Sequence, residues 1–105
     1  MRELTKIEEQ ILLVINNLGN EGYLVNIRER LHDMTGKMLD VGTIYVPLKR
    51  LFQEGILDVY TGTPTAKRGG KAVKYYKITT KGYQILTEIK QVHDRLWDGF
   101  LYWDI

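Results

Sequence analysis

Apolar positions along this chain recur first at helical spacing and later at strand spacing. Ile7, Ile11, Leu12, Ile15 and Leu18 form a stripe one helix face wide, opened by Thr5 and Glu8 at capping-box spacing and closed by Gly19-Asn20. That predicts a first helix from Thr5 to about Leu18. A second follows from about Glu21 to Met34, with Leu24, Ile27, Leu31 and Met34 facing inward and Gly36 as its stop. The third begins after Asp40, an N-cap residue, and ends at Gly55, where a left-handed residue is expected. Leu48, Leu51 and Phe52 share its buried side, while Thr43, Tyr45, Val46, Lys49 and Arg50 fall elsewhere on the wheel. Three short helices joined by tight turns match a helix-turn-helix core, and the third has an outer face suited to phosphates and base edges.

After Gly55 the pattern changes. Ile56 to Thr61 and Val73 to Thr79 are short, β-branched and aromatic, and the Gly-, Thr- and Lys-rich stretch between them has no apolar run to bury. This predicts a two-stranded hairpin with a long tip, a wing. Two strands alone are marginal in water, so the pair must dock on the helices through Ile56, Leu57, Val59 and Ile78. Tyr75 and Tyr76 alternate faces, one for the core and one for the wing root. Thr79 caps a last helix on which Leu86, His93 and Phe100 lie seven apart, with Ile89, Leu96 and Trp103 three residues after each. Such a seam is too long for a small core to cover, so it predicts a partner helix, most economically that of a second copy. Gly99 weakens the helix near its end, and Phe100 to Ile105 are expected to turn away.

The expected fold class is therefore α+β, mainly α: a winged helix-turn-helix of three helices and a two-stranded wing over residues 1–79. Residues 80–105 form a C-terminal dimerisation helix in the same compact unit. At 105 residues the chain is one domain, and a hydrophobic content of 44% with 27% charged residues is that of a globular protein. It has no cysteine for a disulfide or thiolate metal site, and His32 and His93 are too few and too isolated for a metal. No metal and no cofactor are expected. No apolar run approaches the roughly 20 residues of a membrane span, and the N-terminus does not read as a signal peptide, so the expected location is cytoplasmic. Enzyme motifs are missing too: there is no Gly-x-Ser-x-Gly turn and no phosphate loop.

Charge adds more through its distribution than through its total of +2. Between Val59 and Thr87 no acidic residue occurs, yet Lys67, Arg68, Lys71, Lys74, Lys77 and Lys81 all lie there. A basic segment on an otherwise acidic protein is the footprint of a nucleic-acid contact; a solvated charged hairpin is the plainer alternative.

The ordered strings of the chain resemble the PadR (phenolic-acid-decarboxylase-regulator) family of bacterial transcriptional regulators. Gly42, Thr43, Ile44, Tyr45, Leu48, Lys49, Arg50 and Leu51 match its third-helix string, and Glu54, Gly55, Ile56 and Leu57 the next. Gly69 and Gly70 mark the wing, while Tyr75, Tyr76, Lys77, Ile78, Thr79, Lys81 and Gly82 complete the match; Gly22-Tyr23 resembles the family's Gly-Tyr. Proline stands at Pro47, one position later than in the family, which predicts a kink, or a smaller cost in the first turns if Thr43 is the cap, and in either case an altered presentation of Tyr45. The single terminal helix resembles the family's shorter branch.

The resemblance implies a dimeric, ligand-responsive repressor on double-stranded DNA, with an imperfect palindrome as operator. Thr43, Tyr45 and Lys49 are the expected groove-facing side chains, Tyr23 and Arg28 phosphate contacts, and Lys67, Arg68, Lys71 and Lys74 wing contacts. Tyr45 packing at the helix–wing corner, and Lys49 with Arg50 as a plain solvated pair, stay open. The expected dimer interface is Leu86, Ile89, His93, Leu96, Phe100 and Trp103. A small-molecule effector pocket is implied at His93 and Trp97, with register and dimer-core roles as their alternatives. The rival reading of the whole is a winged-helix module that binds protein and never DNA.

Overall fold

The computed structural model describes residues 3–62 and 72–101. Its element order is α1 (Lys6–Asn17), α2 (Leu24–Thr35), α3 (Val41–Gln53), β1 (Leu57–Thr61), β2 (Lys74–Ile78) and α4 (Thr80–Trp97). This is the expected winged helix-turn-helix with one further helix.

α1 starts at a complete capping box. The Thr5 N–H donates to Glu8 Oε1 at 2.8 Å, and the Glu8 N–H returns to Thr5 Oγ1 at 3.3 Å. Gly19 and Asn20, both left-handed at φ +67 and +61, end it. α2 begins three residues later than the apolar pattern placed it, because Gly22 leaves the helix register to bridge Tyr76. The Tyr76 N–H donates to the Gly22 carbonyl at 2.7 Å. Gly22 also has little room: a Cβ there would lie 3.1 Å from Ile15 and Ile27.

The core is built from Ile11, Leu12 and Ile15 of α1, Ile27 and Leu31 of α2, and Ile44, Leu48 and Leu51 of α3. Ile56, Leu57, Tyr76 and Ile78 close it from the wing, as the sequence pattern required, with Val59 half-buried. Two expected core residues are not in it. Met34, in the last turn of α2, is 60% exposed, and the buried face of the helix is held by Ile27 and Leu31. Phe52 is 47% exposed because the buried face of α3 is centred on Ile44, Pro47, Leu48 and Leu51, which turns Phe52 toward the wing. Pro47 is buried and α3 is assigned as helix on both sides of it, with Asp40 at the cap. Its missing N–H costs the Thr43 carbonyl a helical donor, and burial of the ring is the compensation.

β1 and β2 pair antiparallel, Leu57 opposite Ile78 and Thr61 opposite Lys74. The turn before β1 is tied to the start of α4. Thr79 Oγ1 accepts the Gly82 N–H at 3.1 Å and donates to the carbonyls of Gly55 at 2.7 Å and Ile56 at 3.0 Å. Lys81 Nζ reaches the Glu54 carbonyl at 2.8 Å. Here two motifs far apart in sequence, Glu-Gly-Ile-Leu and Ile-Thr-Thr-Lys-Gly, meet as one junction. Gly82 lies against it so closely that a Cβ would sit 2.6 Å from the Ile56 carbonyl oxygen and 2.7 Å from Ile78 Cγ2. Gly82→Ala is expected to destabilise the fold by about 2 kcal/mol despite its gain in helix propensity, read as a lower urea midpoint.

Candidate nucleic-acid interface

The outward face of α3 carries Gly42, Thr43, Tyr45, Val46 and Lys49, all exposed. The buried stripe on the opposite side holds this face outward. Tyr45 is 47% exposed. It borders two grooves between α3 and the wing, one with Tyr23, Lys74 and Tyr76, the other with Lys49, Phe52 and Val59. Tyr45 therefore stands at the helix–wing corner and keeps a half-exposed ring. Lys49 and Lys74 line the second groove together, so helix and wing contribute cations to one concave surface. Tyr76, buried beneath it, has its pKa pushed up by burial and then by neighbouring Tyr45. It stays neutral across the physiological range.

The wing root is an aromatic stack. Tyr75 lies parallel to Tyr60 at 5.3 Å and meets the edge of Tyr23 at 5.6 Å, with Lys77 Nζ 5.7 Å from the Tyr60 ring. Tyr23 is thus half-buried at the start of α2. Arg28 donates from Nε to the Leu39 carbonyl at 2.6 Å, which braces the connection between α2 and α3. Lys49 is a solvated side chain, but Arg50 is not its twin. Its Nε donates to Glu8 Oε2 at 2.9 Å, and Glu8 is fully buried. Lys67, Arg68 and Lys71 at the wing tip, with Gly69 and Gly70, lie outside the described residues.

Along α4, Leu86 and Ile89 are half-buried against the body, whereas His93, Leu96 and Phe100 are exposed; Trp103 lies outside the described residues. The ring of His93 stacks on Trp97 at 5.5 Å, and Trp97 meets the edge of Phe100 at 4.8 Å. The two residues of the expected pocket are therefore neighbours. A groove of about 430 Å³ between α1 and α4 includes Leu13, Asn16, Tyr83, Leu86 and His93. Leu13, 50% exposed, extends the apolar surface onto α1. The helical periodicity of α1 did not single it out, because it falls outside the stripe facing the core.

A three-helix core, an antiparallel wing and a third helix with a solvent-facing polar and aromatic face define a winged helix-turn-helix transcriptional regulator. The model of the PadR-like family of transcriptional regulators matches residues 11–98, and the chain belongs to that family. The family is one of regulators rather than enzymes. The fold is similar to the crystal structure of a PadR-like transcriptional regulator from Bacillus cereus, with 27% identity and a TM-score of 0.73 over 88% of this chain and 84% of that one. A PadR-like transcription factor from Bacteroides fragilis gives 27% identity and 0.74, with the same coverage. A PadR family regulator from Eggerthella lenta gives 27% and 0.66, over 85% of this chain and 75% of its own. No curated protein matches the chain. Among the described residues no helix is long and apolar enough to cross a membrane.

Proposed function

We propose that this regulator is a homodimeric repressor that binds an imperfect palindrome in double-stranded DNA. The observation that carries the reading is the concave surface where Tyr45 and Lys49 of α3 face Lys74 of a wing that carries no acidic residue from Val59 onward. α3 enters the major groove with Thr43, Tyr45 and Lys49 toward base edges, and the wing lysines and Arg68 meet phosphates. Phosphate contacts make binding steeply salt-dependent. The exposed apolar surface at the end of α4 and just beyond it, Leu96 at 79%, Trp97 at 53% and Phe100 at 58%, is covered by the same surface of a second copy. A small apolar effector fits between the copies at His93 and Trp97. It acts by favouring one spacing of the two α3 helices over another.

Substitution separates the two contact types. Lys67, Arg68 and Lys71 changed together to Ala weaken binding to every sequence and flatten its salt dependence, whereas Tyr45→Phe or Lys49→Ala erodes discrimination between operator and scrambled duplex. An unchanged salt slope in the triple variant contradicts the wing contact. Gly42 supplies a separate test. A Cβ there meets nothing within 4 Å, so Gly42→Ala stabilises α3 by about 0.5–1 kcal/mol. Pressed against DNA, the same methyl obstructs close approach, so thermal stability rises while operator affinity falls.

A further inference from the structure

Asn20 lies between the wing, α1 and α4, and its side chain makes a directed chain of hydrogen bonds. The Ile78 N–H of β2 donates to Asn20 Oδ1 at 3.0 Å, and Asn20 Nδ2 donates to Tyr83 Oη of α4 at 2.8 Å. Tyr83 Oη donates on to Asn16 Oδ1 of α1 at 3.3 Å. The backbone donor at Ile78 fixes which end of the amide is oxygen, so each donor in the chain aligns with the next. The backbone of Asn20 takes part as well: its carbonyl accepts the Tyr60 hydroxyl of β1 at 2.8 Å. Its N–H donates to the Ile15 carbonyl at 3.0 Å.

The side chain also continues a ladder. Tyr76 pairs with the Gly22 carbonyl through backbone atoms, and two residues along β2 the amide of Asn20 takes the place of the next carbonyl. Residues 20–22 thus act as a stub of a third strand. The left-handed backbone at φ +61 aims the side chain there, a conformation that Asn tolerates and most residues do not.

We propose that Asn20 is the positioning residue that sets the wing strands against the α3 face, and that Tyr83 makes this placement sensitive to the α1–α4 groove it lines. The inference rests on the wing being a DNA contact. A wing freed from this pin still pairs with itself but no longer holds Lys74 at a fixed height beside Lys49, so phosphate contacts are lost for every sequence alike.

The test compares the full-length protein with Asn20→Gly, Asn20→Asp and Tyr83→Phe. Gly keeps the left-handed backbone and removes every side-chain bond; Asp keeps the acceptor for Ile78; Phe keeps the ring in the groove and cuts the link. Amide exchange is read at Ile78, with Ile11 and Ile15 of α1 as controls for an intact core. In Asn20→Gly, exchange at Ile78 rises about tenfold. Affinity for operator and scrambled duplex falls together by about the same factor, with a flatter salt slope. Asn20→Asp restores protection at Ile78, and Tyr83→Phe shifts affinity in the same direction by a smaller factor. Unchanged Ile78 exchange in Asn20→Gly, or faster exchange with unaltered affinity and salt slope, overturns the inference while DNA binding by the unmodified protein stands. Failure of the unmodified protein to bind any duplex instead removes the DNA-binding reading, and this inference with it.

Discussion

Leu96→Asp is expected to convert the dimer to a monomer and to lower operator affinity by about a hundredfold or more. The side chain is 79% exposed in the single chain, so the charge meets water there and the fold is unaffected. In the proposed dimer the same position faces a second apolar seam, where the related copy brings an Asp to the same interface and two buried like charges oppose association. Two half-sites bound by one dimer gain from an effective local concentration that separate monomers lack, which sets the size of the loss. Sedimentation reads the mass and anisotropy the affinity. A variant that stays dimeric, or a monomer that binds the operator as tightly as the unmodified protein, contradicts the arrangement.

The second large effect falls on Glu8. Its carboxylate is fully buried, accepting the Thr5 N–H with one oxygen and Arg50 Nε of α3 with the other. Glu8→Ala removes the return bond of the cap, the partner of Arg50 and the buried volume at once, and is expected to cost about 2–4 kcal/mol. Arg50 is 43% exposed, so water takes up part of its lost pairing and holds the figure below that for a fully buried pair. Glu8→Gln keeps the buried volume but has one acceptor oxygen, so its NH2 is turned toward either the Thr5 N–H or Arg50 Nε, and it is expected to cost about 1–3 kcal/mol. Urea midpoints for the two variants give the comparison. A loss in Glu8→Gln as large as that in Glu8→Ala would show that the two acceptor oxygens, not the buried volume, fasten α3 to α1.

Much of this fold is written in local signals. Thr5 with Glu8 and Thr79 with Gly82 form the helix starts, and Gly36 and Gly55 the left-handed stops, because these effects act within one helical turn. The strand assignments follow from short β-branched and aromatic runs, and the alternate faces of Tyr75 and Tyr76 from the two-residue period of a strand. Long-range matters were not legible. A capping-box glutamate is ordinarily solvated, and nothing near Glu8 in sequence shows that α3 crosses above it with Arg50. Asn20 reads as a helix terminator, and its role toward Ile78 and Tyr83 depends on elements about sixty positions away. Phe52 was misplaced for a related reason. Helical spacing gives the width of a buried stripe but not its centre, and the position of α1 puts that centre on Ile44 and Leu48. Of the candidate interface, the types and order of residues were readable, while the corner that joins Tyr45, Lys49 and Lys74 required the fold.

The most direct test of the central claim is fluorescence anisotropy of the purified protein on DNA from upstream of its own gene, against a scrambled duplex, at several salt concentrations. The account predicts tighter binding to the upstream DNA, falling steeply as salt rises. No binding to either duplex at low salt would contradict it and leave a winged-helix module whose partner is a protein.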